Sequence, residues 1–436
     1  MRNRKDAEYS DEYRHGALNW DFLGKGYLEL LERLERGADS KDVKEVEEGG
    51  ILIEGVGKAG YDVSSKSGTW KQGYFEALMG AAKVAENLDG WVKNKDGKSL
   101  SFPREMVPSP ENPEPALIPV NWRGTPPRIE DAISAFESPA TFYAKVLTTR
   151  GLTTRMKTEA ALAWADWLDF KGLHGTAEEV LKWGLDIASQ GMNASQLSDV
   201  LDMKRSNLKV KGSLRVSENM LKTCTALAVH HARSGSVEKA LSLFLSIMKI
   251  RKDLASKMAP VMELPQVPEE TDFVESVMQL IRGPGYPPIP SSGDEPPNDA
   301  LKEACEQTGI MAYIGEILYA TSSKEEGLSW TRDAVDGAEQ VLSAMQGQAS
   351  QAGKEKCEEC LETGLLNWQE MASSLAALEY TSGQKEPKSS WFGVWKKREH
   401  DEDRWAREQE QIQLRIERTK PFLKERFGQV QVVSPS

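Results

Sequence analysis

Leu227 to Ile247 read LAVHHARSGSVEKALSLFLSI, two short amphipathic segments of helical period joined at Gly235. The small residue Ala228 falls where the first helix must come close to its partner, and Ala240, twelve positions on, holds the matching place in the second. Leu227, Leu241, Phe244 and Ile247 then fill the seam. A hairpin of this kind cannot bury its apolar face alone, so the pattern calls for stacked neighbours.

The interval recurs twice. Ala165 and Ala177 flank Gly172, with Trp164, Leu168, Leu181 and Gly184 around them. Gly315 and Gly327 repeat the spacing with Ile314, Leu318, Thr331 and Ala334. An ordinary helical bundle also carries Ala and Leu at helical spacing, but three hairpins with one internal interval favour a repeat architecture. The units are not in tandem: Ala177 to Ala240 is 63 residues and Ala240 to Gly327 is 87, against about 34 for adjacent units. Helix or loop must intervene, and three to five units are expected.

The remaining chain divides around these hairpins. Residues 1–40 read as a charged tail followed by a docking helix, with Phe22, Leu23, Tyr27, Leu30, Leu31 and Leu34 on one face. Helical repeats span 61–350, interrupted by proline-rich insertions at 103–127 and 260–297, which hold 17 of the 21 prolines. The first insertion is an extended segment laid along the helical surface or an exposed polyproline ligand. The second can cap, gate or fill a groove. Residues 354–427 form a C-terminal helical cap, its charged last helix turning Trp405, Ile412 and Ile416 inward. The fold class is therefore all-α, a right-handed helical solenoid with two proline-rich excursions.

A net charge of −12 and a pI near 5.2 argue against a nucleic-acid backbone as the main partner, since phosphate binding draws on clustered Lys and Arg. Protein partners fit better. No run of 18 apolar residues occurs, and the first 20 residues hold no signal-peptide core, so the chain as given reads as soluble and without a targeting signal. The basic opening MRNRK would also suit the flank of a membrane anchor outside this chain.

Few residues suggest chemistry. The stretch GGILIEGVGKAG (49–60) fails as a phosphate loop, because Leu52 stands where its first Gly is needed and Ala59 follows Lys58 in place of a hydroxyl. His230 and His231 diverge by about 100° on a helix, so one should pack while the other faces solvent or a ligand. Cys357 and Cys360, in CEEC, are structural cysteines, a redox pair or two zinc ligands lacking the other two. The four cysteines look too scattered for a disulfide framework. No catalytic residue, metal ligand set or cofactor site emerges. Trp164, Trp167, His230, His231, Tyr313 and Glu316, all in first helices of the hairpins, are the candidate partner-binding residues.

Leu227, Ala228, Gly235, Ala240 and Phe244, with their echoes at Ala165/Ala177 and Gly315/Gly327, resemble the tetratricopeptide repeat family. The chain departs from that pattern at its aromatic position, which holds His231, Leu168 and Leu318, and at the helix-ending proline. More loosely, FYAKVLTTRGLTTR (142–155), ALAWADWLDFKGL (161–173) and CEECLETGLLNW (357–368) are similar to fungal mitochondrial tetratricopeptide-like proteins, among them the inner-membrane adaptor of the i-AAA protease. That resemblance implies an anchor before residue 1, a repeat domain in the intermembrane space and delivery of substrates to an ATP-dependent protease. The expected function is a non-catalytic adaptor or scaffold of mitochondrial protein quality control, its concave groove holding a partner protein, an AAA protease or its substrates. The alternatives are a cytosolic co-chaperone and a redox protein using Cys357 and Cys360.

Overall fold

The computed structural model describes residues 17–37, 43–45, 52–53, 57–58, 60–96, 100–118, 124–190, 192, 194–202, 207–209, 216–257, 289–345, 351–383 and 391–419. These residues are mostly helical and fall into two compact units. The first comprises the described residues up to 190 together with 289–294, and the second those from 192 to 257 and from 295 to 419.

In the first unit, α1 (Ala17–Arg36) packs on α2 (Gly68–Asn87), α2 on α3 (Pro139–Thr148), α3 on α4 (Thr154–Phe170) and α4 on α5 (His174–Ala188). Local chemistry sets the starts. Ser67 and Thr153 accept hydrogen bonds from the Trp70 and Met156 amides at 3.3 Å, and Pro139 opens α3, where a missing N–H costs nothing. The α4–α5 hairpin has the form expected. Gly172 supplies a φ of +74° in the turn, and Ala165 and Ala177 are both buried. The docking helix holds its predicted place with one correction: Leu31 is buried, but Phe22 faces outward, 68 % exposed.

Short strands occur among the helices. β1 (Lys44–Glu45) pairs with β4 (Tyr61–Asp62), β2 (Leu52–Ile53) with β3 (Gly57–Lys58), and β5 (Trp91–Asn94) lies between β6 (Phe102–Pro103) and β7 (Ala132–Ser134), all antiparallel. Pro103 sits on an edge strand, where its missing donor is tolerated. The first proline-rich stretch is thus anchored at its start by Phe102 and Val107, each almost fully buried, whereas Leu117 is 92 % exposed.

In the second unit, α6 (Ala194–Val200) leads to the hairpin of β8 (Leu201–Asp202) and β9 (Asn207–Leu208). Among the described residues, six helices follow: α7 (Glu218–Arg233), α8 (Val237–Lys257), α9 (Ala300–Thr321), α10 (Lys324–Ala344), α11 (Gln351–Gly383) and α12 (Trp391–Thr419). Each packs on the next. The α7–α8 turn carries Gly235 at φ +81°, and Ala228, Ala240, Phe244 and Ile247 are buried as the sequence requires. In the α9–α10 hairpin a side chain on Gly315 would meet Thr331 Oγ1 at 2.5 Å, and one on Gly327 would run into the Tyr319 backbone. Close approach there needs the absence of a Cβ.

Alternate helices of this unit also touch one another. Glu316–Asn367, Tyr319–Met371 and Cys305–Cys357 join α9 to α11 with sequence offsets of 51 to 52. Arg404–Glu325, Arg415–Asp336 and Arg418–Glu339 join α12 to α10, each with an offset of 79. A constant offset means that the paired helices run parallel. On α12, Trp405, Ile412 and Ile416 point inward, in line with the amphipathic reading.

Candidate functional site

Within the first unit, α1, α2 and α4 surround a groove of about 1330 Å³. Its shape follows from how α2 distributes its side chains. Leu78, Ala82 and Ala85 are buried away from the groove, while Trp70, Gly73, Ala77 and Gly80, at helical spacing, line it. Gly80 lets the Tyr27 ring of α1 lie directly on the α2 backbone. Across from it, α4 turns Ala163, Asp166, Trp167 and Phe170 to the groove and keeps Trp164 and Leu168 inside. Phe170 is 85 % exposed.

Polar contacts brace this arrangement. Tyr74 donates to Glu35 at 2.8 Å, and Lys145 reaches the same carboxylate at 3.0 and 3.2 Å, tying α1 to α2 and α3. Tyr143 donates to Glu86 at 2.6 Å. Burial, and then the neighbouring carboxylate, pushes both phenol groups well above the usual tyrosine range, so they remain donors. Arg33 and Lys83 stand on the lining together with Glu76, Glu86 and Asp166, which gives the apolar floor a rim of mixed charge. Ile289 and Pro290 close one end, and a side chain on Gly68 would meet Ile289 Cδ1 at 2.6 Å. The Ser292 carbonyl, accepting from the Arg155 amide at 3.0 Å, holds that segment against the start of α4. Such a lining suits apolar side chains and an extended backbone.

The six candidate residues do not share one environment. Trp167 lines the groove, but Trp164 is buried and stacks on Tyr143 with ring centroids 6.4 Å apart. The other four belong to the second unit. His230 and His231 are both buried, which corrects the expectation that one would stay open; α7 is covered on more than one side, so a 100° divergence does not bring either out. Tyr313 stacks on Phe244 at 5.4 Å, and burial raises its phenol. Glu316 accepts from Asn367, with its carboxyl raised by burial and eased by that bond.

The cysteines require a second correction. Cys357 is bonded to Cys305 rather than poised with Cys360, because parallel α9 and α11 bring positions 52 apart face to face. Cys360 is a free thiol beside them, donating to the Cys305 carbonyl at 3.8 Å and pushed up by burial to about 11. Nearby, Arg251 of α8 and Glu303 of α9 form an ion pair at 2.6 and 2.7 Å with both side chains almost fully enclosed. Burial pushes the Glu303 carboxyl up, and Arg251 opposes it.

Searched against protein-family models, curated proteins and solved structures, the chain matches none. The site therefore stands on its own residues. Sequence reading reached Trp167 but not its companions Tyr27, Trp70 and Phe170. Their signal was present as aromatic and small residues alternating on α2 and as Phe170 one turn beyond Trp167.

Proposed function

We propose that this protein is a non-catalytic adaptor, a degenerate tetratricopeptide-like repeat chain that holds an extended segment of a partner protein in the α1–α2–α4 groove. The observation that carries the reading is Phe170 and Trp167 facing an open, aromatic-lined groove with an apolar floor and a charged rim. Exposed aromatic anchors set among small residues are what binding surfaces use for affinity, with the charged rim fixing register. The repeat reading draws support from three hairpins with one internal spacing and from the constant offsets along α9 to α12. By resemblance, the partner is an inner-membrane AAA protease or one of its substrates. The Cys305–Cys357 bond favours this over a cytosolic co-chaperone, since disulfides persist in oxidising compartments and are rare in the cytosol.

The test compares proteins retained by the tagged wild-type chain and by a Trp167→Ala/Phe170→Ala variant, purified from gently solubilised native organelles. An AAA protease or its substrates held by the first and lost by the second supports the reading. Equal retention by both would falsify the groove as the partner site, and chaperones recovered from a cytosolic fraction would establish the co-chaperone instead.

A further inference from the structure

The groove already contains a fragment of peptide. Ile289 and Pro290 come from the sequence PGYPPIPSS (284–292) and line the groove near the start of α2. Gly68 has no side chain to obstruct Ile289, and its neighbour two positions on, Trp70, stacks on Tyr74 at 5.2 Å with the rings 25° apart. The buried indole N–H of Trp70 has no acceptor among the described residues. An indole can only donate, so this enclosed N–H lacks the carbonyl that would satisfy it. Extended proline-containing chains supply that: they form no internal hydrogen bonds, their carbonyls are free, and their rings pack on aromatic faces. Beyond the Ile289–Pro290 end, Trp167 and Phe170 continue the aromatic lining.

From these features we infer that the groove recognises an extended aliphatic–proline segment of a partner polypeptide, and that Ile289–Pro290 is an internal competitor for one end of it. This rests on the adaptor reading and adds the chemistry of the occupant. Binding of the partner segment displaces Ile289 from Gly68 and places a backbone carbonyl within reach of Trp70.

Fluorescence anisotropy of the full chain with a labelled PGYPPIPSS peptide tests it. The expected result is that an Ile289→Gly/Pro290→Gly variant binds the peptide at least tenfold more tightly than wild type. Adding Phe170→Ala to that variant, a change at an exposed position that leaves the melting temperature in place, should weaken binding at least fivefold. A peptide with every proline replaced by alanine should bind at least tenfold more weakly. Equal binding by wild type and the double glycine variant, or no binding by either, overturns the competitor. Equal binding of the alanine peptide overturns the preference for proline. In each of these cases the adaptor reading survives if retention of native partners still depends on Trp167 and Phe170, and it fails separately if that retention does not.

Discussion

The α9–α12 stack and the α1–α2–α4 group are both built from helices with small residues at their contacts, yet one is closed and the other open. In the stack the helical glycines are met by neighbours: Gly315 by Thr331, Gly327 by Tyr319, and Gly364 by Val335, whose Cγ2 lies 2.8 Å from where a Cβ would stand. A disulfide and interhelical ion pairs close it further. In the other group the small residues floor a groove, and two large aromatics of α4, the half-buried Trp167 and the exposed Phe170, face it. Small residues allow helices to approach; whether a seam or a site results depends on what the next helix places over them.

Mutations can break this comparison. The largest effect is expected at the ion pair: Arg251→Ala leaves Glu303 charged and enclosed, which should cost about 3–5 kcal/mol in urea unfolding. Replacing both partners by apolar residues of similar volume should recover most of that. Next comes the staple. Cys305→Ala should lower stability by about 2–4 kcal/mol, and reduction of the wild-type chain should do the same. Cys360→Ala, which leaves the bond intact, should have a much smaller effect on the melt.

Gly315→Ala forces a methyl against Thr331 and the Gly327 carbonyl and should cost about 1–3 kcal/mol. Gly175→Ala in α5, where nothing lies within 4 Å of the new carbon, should instead leave stability unchanged or raise it by about 0.5 kcal/mol. Equal effects at the two glycines would contradict the distinction between filled and open positions.

Glu218 offers a test by pH. Burial alone would push its carboxyl up, but hydrogen bonds and charge from Lys302 and Lys222 hold it at about 2, below its ordinary 4.5. The folded value lies below the unfolded one, so the contribution is present above pH 4.5 and is lost as pH falls toward 2. Allowing for partial exposure, it should amount to on the order of 1–2 kcal/mol, and the Glu218→Gln variant should lack that part of the acid slope. The smallest effect falls in the groove: Phe170→Ala should change stability by less than about 0.5 kcal/mol while still weakening the partner.

The hairpins were legible because their determinants are local. Twelve residues from Ala228 to Ala240, a glycine between them and a helical apolar period suffice to specify two helices and their closest point of contact. The same holds for α12, where Trp405, Ile412 and Ile416 declare an inner face. Strand β5 was less visible, since four residues flanked by turns carry too short a pattern and acquire their ladder only from Phe102 and Ala132 arriving on either side.

The sequence by itself determined where the main helices lie and where the hairpins turn, for these depend on sterics and polarity within a few turns of chain. The partners of Cys357 and Glu303, the burial of both histidines and the groove above α2 were decided only by tertiary structure. Each depends on the offset and rotation at which helices far apart in sequence come together, and no local pattern encodes either quantity.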